Sequence, residues 1–242
     1  MNNAGTVFET IPFQVYDDSV ITAVYLHESR KYRRLVSEIY SITPESLGIE
    51  PNTERGLPGE KQYLESGWCH TMLSRYFFTG AIFCRREDVR VAELCSGLGW
   101  GAYILSHYAA HVFCLELCAE SLAVAARTWP AGNLTWKAGN ALAACDVLLP
   151  KSFDIVSAME VIEHFSVSDG LLLLQNVAAL LRPGGMFVAS SYYPDHQEEA
   201  AHVCAKNPHH LHIFTKKELA SLSAGMFRKR MFFGSRLFVA VK

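Results

Sequence analysis

Net charge, paired cysteines, repeats and long apolar runs are all scarce in this sequence, and each shortage closes off a class of protein. A formal charge of -2 over 242 residues supplies no overall basic field of the kind that holds nucleic acid through its phosphates. The seven cysteines are odd in number and none stands in a CxxC pair, while Cys95, Cys114 and Cys204 lie inside apolar runs. Neither a disulfide framework nor a zinc site is indicated, and a reducing, cytoplasmic setting is expected. The longest apolar stretch, Leu171 to Leu181, contains Gln175 and Asn176 and falls short of the roughly 20 residues that span a bilayer. No basic and apolar leader opens the chain, so a soluble protein without a transmembrane segment is expected. No internal period appears, which sets solenoids and propellers aside.

Apolar sequence is plentiful, at 50% of residues, and a chain of this length can bury most of its surface in one core. Charge is unevenly spread. After Cys204 the basic residues Lys206, Lys216, Lys217, Arg228, Lys229, Arg230, Arg236 and Lys242 face a single acid, Glu218. Such a tail reads either as solvated side chains at helix and strand ends or as a local preference for anionic acceptors.

Along the chain, Tyr32, Leu35, Val36, Ile39 and Tyr40 recur at helical spacing, a proline- and glycine-containing connection runs from Thr43 to Gly59, and a second helix is expected over Lys61 to Ile82. The spacing predicts an N-terminal extension and helical cap over residues 1–87 and a main domain over 88–242. In the latter, strand candidates at 89–94, 112–116, 134–137, 153–158 and 186–190 alternate with helices at 101–108, 119–128 and from about Asp169 to the turn Arg182-Pro183-Gly184-Gly185. A helix over 216–222 precedes two runs, 227–233 and 235–241, that read as a closing hairpin across Gly234. Alternation of this kind predicts an α/β fold: a Rossmann-like, doubly wound, mostly parallel seven-stranded sheet.

Chemistry concentrates at strand ends. Val91 to Gly101 reads VAELCSGLGWG, placing Glu93 near the end of the first strand and Gly97 and Gly99 in the turn that follows, where backbone can pass close to a ligand. Glu116 closes the next strand, at about the distance where doubly wound nucleotide sites set a carboxylate against ribose hydroxyls. Met159-Glu160-Val161-Ile162-Glu163-His164 follows the fourth strand, and a helical turn there would put Glu160, Glu163 and His164 on one face. Three more imidazoles, His209, His210 and His212, lie in one late segment; any of these histidines could take a proton near neutral pH, and any could instead bind backbone.

From about Val89 to the C-terminus this succession resembles the class I methyltransferases that use S-adenosylmethionine (SAM). The resemblance implies a cofactor site of Glu93, Cys95, Gly97, Gly99, Glu116, Leu117, Asn140, Ala141 and Glu160. Cys95 stands where glycine or alanine is usual, and Asn140 where aspartate is. The Glu-x-x-Glu-His pattern is similar to that of ubiquinone-pathway and small-RNA 2′-O-methyltransferases. It implies Glu163, His164 and His212 as catalytic groups and, where a Mg²⁺ or Mn²⁺ ion is bound, Glu160, Glu163, His164 and His212 as its ligands. Glu54 to Gly59, His70, Arg75, Tyr76 and the Asn207 to Thr215 segment resemble methyltransferases of bacterial surface-polysaccharide gene clusters, with residues 53–76 forming a cap over SAM. The implied activity is O-methylation of a sugar or glycan hydroxyl. RNA, a quinone-like phenol or a secondary metabolite remain alternative acceptors, and a non-catalytic SAM-binding scaffold remains an alternative role.

Overall fold

The computed structural model describes residues 12–52 and 56–242. Thr53, Glu54 and Arg55 of the expected cap lie outside the described residues. The strands are β1 (Gln14–Tyr16), β2 (Arg90–Leu94), β3 (His111–Glu116), β4 (Leu134–Ala138), β5 (Phe153–Met159), β6 (Leu181–Ser190), β7 (Lys229–Phe233) and β8 (Leu237–Val241). They form one sheet in the order β1-β7-β8-β6-β5-β2-β3-β4, in which β8 runs antiparallel to both neighbours and every other pair is parallel. The order reverses between β5 and β2, and a crevice opens there at the C-terminal ends of the strands.

Side chains alternate across this sheet to two buried layers. On β2, Val91 belongs to one cluster and Ala92 and Leu94 to the other; on β5, Ile155 opposes Val156 and Ala158; on β8, Val239 opposes Phe238 and Ala240. Period-2 alternation with both faces buried requires helices on both faces. One face packs against α1 (Ser19–Lys31), α2 (Arg33–Ser41), α5 (Trp68–Phe83) and α6 (Trp100–Ser106). The other packs against α8 (Val167–Leu180) and α10 (Lys216–Leu222). The N-terminal helices therefore share a core with the sheet. Three shorter or peripheral helices complete the set: α3 (Pro44–Leu47), α4 (Lys61–Ser66) and α9 (Gln197–Cys204), with α7 (Ala119–Thr128) between β3 and β4. No helix among the described residues is long and apolar enough to cross a membrane, and all seven cysteines are free.

The sheet departs from expectation by one strand: it has eight, not seven. The extra one, β1, has three exposed residues and so no burial pattern to betray it; it adds to β7 in parallel, with Tyr16 stacked on Phe233 at 5.1 Å. Helix α1 was also hidden. Its inward face is Ile21, Tyr25 and Glu28, and the acid breaks the apolar stripe while accepting a 2.6 Å hydrogen bond from the Tyr108 hydroxyl. The connection over 43–59 contains α3, capped reciprocally by Thr43 and Ser46. Gly67, at φ +71°, divides the helix expected over 61–82 into α4 and α5. The Arg182 to Gly185 turn lies inside β6, where Pro183 lacks a donor, Gly184 takes φ +80° and the register with β5 slips between Phe153 and Ile155.

Helix α5 meets α6 at Gly101, where a Cβ would fall 2.1 Å from Cζ of the buried Tyr76 ring. Because that ring is held at its hydroxyl by Glu93, it has nowhere to go. Gly101→Ala is expected to destabilise by about 1–3 kcal/mol and to lower Tm by several degrees in a calorimetric scan. An unchanged Tm would show that the two helices separate easily.

Candidate active site

The loop from β2 to α6 alternates backbone hands. Cys95, Gly97 and Gly99 have φ of +56°, +53° and +81°. Gly99 is required by packing, since a Cβ would lie 2.5 Å from the Trp136 ring; at Gly97 nothing stands within 4 Å, so that position borders open space. Cys95 takes the left-handed conformation without being glycine, a strain of roughly 1–2 kcal/mol, and its thiol is pushed up to about 12 by burial and by the charges of Glu116 and Glu93. Glu116 ties the loop to the end of β3: its Oε2 accepts from the Gly97 amide at 2.9 Å and its Oε1 from the Cys118 amide at 2.8 Å.

This loop forms one end of a cavity of about 550 Å³, a size suited to a small-molecule ligand. Cys95, Ser96, Gly97, Leu98 and Glu116 line that end. Met159, Glu160, Glu163, His164, Asn207, His209 and His210 line the other, and Gly56, Tyr63, Trp68, Met72, Arg75 and Tyr76 roof it from the N-terminal region.

At the second end, Glu160 has φ +54° and stands outside the short 3-10 turn Ile162–His164, so the one-face helical arrangement expected for Glu160, Glu163 and His164 does not form. Instead Glu160 Oε1 contacts Arg75 Nη1 and accepts from Ser190 Oγ at 2.9 Å, while Arg75 Nη1 donates to Ser190 Oγ at 2.7 Å. Glu163 is 2% exposed; burial first, and the neighbouring Glu160 charge second, hold its carboxyl well above the usual range. The Glu163 carbonyl accepts from the amides of Leu211 and His212, at 2.8 and 3.3 Å. These bonds bring the late histidine segment to the cavity and decide which imidazole enters. His210 packs edge-on against His164, centroids 5.3 Å apart, and ligand atoms of Glu163, His164 and His210 lie within 4.8 Å of one another. His212 lies beyond the pin and off the cavity wall. Its Nε2 is 3.5 Å from Glu218 Oε2 and its ring meets Phe214 at 4.5 Å.

Of the residues expected from sequence, the cavity thus gathers Cys95, Gly97, Glu116, Glu160, Glu163 and His164. Glu93 lies just behind it, 1% exposed, with the Tyr76 hydroxyl donating to Oε1 at 2.7 Å and Oε2 unpartnered. Gly99, Leu117, Asn140, Ala141 and His212 are not on the wall: Leu117 is 71% exposed, and Asn140 caps the 3-10 turn after β4 through the Leu142 amide at 2.9 Å. Sequence reasoning missed the walls made by Trp68 and Met72, and it named His210 among three late imidazoles without singling it out from His212. Arg75 and Tyr76 were visible only as part of a cap motif.

Residues 91–185 match the family described as a methyltransferase domain. YcgJ of Bacillus subtilis is similar at 22% identity, TM-score 0.55, over 61% of this chain and 65% of its own. A putative methyltransferase in complex with the Trm112 activator of Haloferax volcanii gives 17% and 0.57, over 74% of this chain and 96% of the other. CalS10, an amino pentose methyltransferase of Micromonospora echinaspora, gives 16% and 0.56, over 75% and 97%. The chain spans just under two thirds of the first of these. No curated protein matches the sequence. The matched segment carries the glycine loop and Glu116, so the cavity's first end lies within the stretch that is similar to methyltransferase domains.

Two buried carboxyls in one site leave a thermodynamic signature. Burial raises Glu93 from 4.5 to about 8 against the Tyr76 hydrogen bond that lowers it. Between those values the native state holds a proton that the unfolded chain has released, so stability is highest at the acid end of the window and falls as pH rises through it. Glu163 acts in the same direction. Glu93→Gln keeps the acceptor for Tyr76 and removes the ionisation. It is expected to flatten the fall in Tm between about pH 5 and 8 and to raise Tm at pH 8; parallel pH–Tm curves for the two proteins would refute the buried-carboxyl account.

Proposed function

We propose that this protein transfers the methyl group of SAM to a hydroxyl of a sugar or glycan. The observation that carries the reading is that one cavity joins the glycine loop and Glu116 to the Glu163, His164 and His210 cluster. Open space at Gly97, and behind the wall the Glu93 Oε2 that has no partner among the described residues, fit the methionine part of SAM. Glu116, oriented by two backbone amides, keeps lone pairs for the ribose hydroxyls. Bound SAM supplies a methyl group already activated by its sulfonium. The protein aligns the acceptor oxygen, excludes water under the α5 roof and receives the hydroxyl proton on the Glu163, His164 and His210 cluster. Aromatic faces at Tyr63 and Trp68 opposite carboxylates, imidazoles and Asn207 suit a sugar ring, which has an apolar C–H face and a polar rim. The amino pentose methyltransferase shows that the same fold serves sugars elsewhere.

A second reading has its own observation. Two imidazoles and one carboxylate within 4.8 Å would hold a divalent ion, and the donor set suits Mn²⁺ or Zn²⁺ better than Mg²⁺. The ligand set differs from the one implied by resemblance: His210 stands in place of His212, and Glu160 is committed to Arg75 and Ser190. An ion there would lower the acceptor hydroxyl's pKa.

Glu116→Ala is expected to weaken SAM binding by about 2 kcal/mol, about thirtyfold, with the fold intact. Gly97→Val, a β-branched residue at φ +53° facing the cavity, is expected to abolish binding. Normal affinity of either folded variant in calorimetry would remove the cofactor assignment. The histidines separate on turnover. His164→Ala and His210→Ala are each expected to lose about 10² to 10⁴-fold with SAM affinity retained. His212→Ala is expected to keep turnover and lose about 1 kcal/mol of stability, because, against a burial that would raise it, His212, the Thr215 amide and Gln197 hold Glu218 down to about 2. Chelation decides between the two readings: lost turnover restored by Mn²⁺ or Zn²⁺ supports the ion, and unchanged turnover supports the metal-free base. Full turnover by both cavity-histidine variants would sink the assignment of this end.

A further inference from the structure

A buried guanidinium with an unpartnered edge points to the charge of the acceptor. Arg75 is 3% exposed and lines the cavity, and only its Nη1 is engaged, by Glu160 and Ser190. Among the described residues, Nε and Nη2 have no hydrogen-bond partner. Those two nitrogens carry the parallel N–H bonds of the guanidinium's side-on fork, the geometry that a carboxylate or phosphate fills with two oxygens. Leaving such donors buried and unpaired costs stability, so the unpartnered edge of this cavity-lining residue reads as a receptor.

Position assigns the receptor to the acceptor end. Nη1 is fastened to groups at the C-terminal ends of β5 and β6, beside Glu163 and His164, whereas the glycine loop and Glu116 stand at the ends of β2 and β3. Arg75 also lies over the Trp68 ring, 5.4 Å from its centroid, and Arg236 lies over the same ring at 5.1 Å and over Tyr192 at 4.8 Å. Among the described residues Arg236 makes no ion pair. Two cations on one indole, one of them from the basic C-terminal segment, form a positive rim above a cavity wall that is otherwise acidic.

We propose that the acceptor carries an oxyanion, a carboxylate or phosphate group, received on the Nε and Nη2 edge of Arg75 with Arg236 at the same indole. This deepens the proposed function and rests on it: the acceptor is an acidic sugar or a sugar phosphate. The methionine carboxylate of SAM is the competing occupant of the fork, and the test separates the two.

The protein saturated with S-adenosylhomocysteine is titrated calorimetrically with glucuronate, with glucose and with inorganic phosphate. Glucuronate is expected to bind at least tenfold more tightly than glucose. Arg75→Lys, which keeps the charge and loses the fork, and Arg236→Ala, at a partly exposed position, are each expected to cost the anions about tenfold while S-adenosylhomocysteine affinity stays within threefold and circular dichroism is unchanged. Equal binding of the two sugars with no phosphate binding overturns the proposal. So does a tenfold loss of S-adenosylhomocysteine affinity in Arg75→Lys, which would give the fork to the cofactor. Phosphate binding that depends on Arg75, with neither sugar bound, keeps the anion receptor and removes the sugar. Failure to bind S-adenosylhomocysteine at all removes the methyltransferase reading and this inference with it.

Discussion

The site depends on how helix α5 inserts charge and a hydroxyl over the strand ends. Arg75 and Tyr76 are neighbours in sequence, yet each fastens to a different part of the sheet: Arg75 to Glu160 and Ser190 at β5 and β6, Tyr76 to Glu93 on β2. The two contacts straddle the reversal of strand order, so one helical turn bridges the crevice that the topology opens. Removing a charge from water is expensive, and a guanidinium this deep persists only where its partner is well held. Ser190 holds it, bonding to the Glu160 carboxylate and, through Oγ, to the Glu160 amide at 3.1 Å.

Backbone conformation serves the same end. Cys95 and Glu160, both at the C-terminal ends of neighbouring strands, take positive φ without being glycine, and both line the cavity. Each costs of order 1 kcal/mol or more and is sustained by what surrounds it. Cys95 is followed at once by the Ser96 amide's 3.1 Å bond to the Leu115 carbonyl, and Glu160 is gripped through its amide and its carboxylate by Ser190. At the C-terminal ends of β2 and β5 the non-glycine strain falls at the cavity's edge.

What was legible in the sequence followed from periodicity and glycine chemistry. Strands such as Val112 to Glu116 and Phe153 to Ala158 announce themselves because burial on both faces makes a largely apolar run, and Gly97 and Gly99 because few other residues fit a left-handed turn. What was hidden depended on tertiary pairing. Three exposed residues of β1 acquire meaning only beside β7, and Glu28 disguises α1 because its partner, Tyr108, is 80 positions away. The histidines show the limit most clearly. His210 and His212 are chemically identical and two residues apart, and only the Leu211 and His212 amides bonding to the Glu163 carbonyl decide which one reaches His164. Local spacing holds no record of that pin.

Among the described residues, buried polar atoms without a hydrogen-bond partner stand both at the cavity and away from it, the latter on Ser157, Tyr193 and Arg230. Arg75 Nε and Nη2, Glu93 Oε2 and Glu163 Oε2 all stand at or just behind one cavity, on three different elements. A buried polar atom without a partner is a penalty that packing elsewhere must offset, and a chain under no other constraint would place methyl groups there. Those at the cavity separate two sources of order in this molecule. The sheet and its two apolar layers bury the bulk of the apolar core. The cavity draws on that burial, keeping one guanidinium edge and two carboxyl oxygens dry and fixed, so that a ligand meets groups whose reorganisation has already been done.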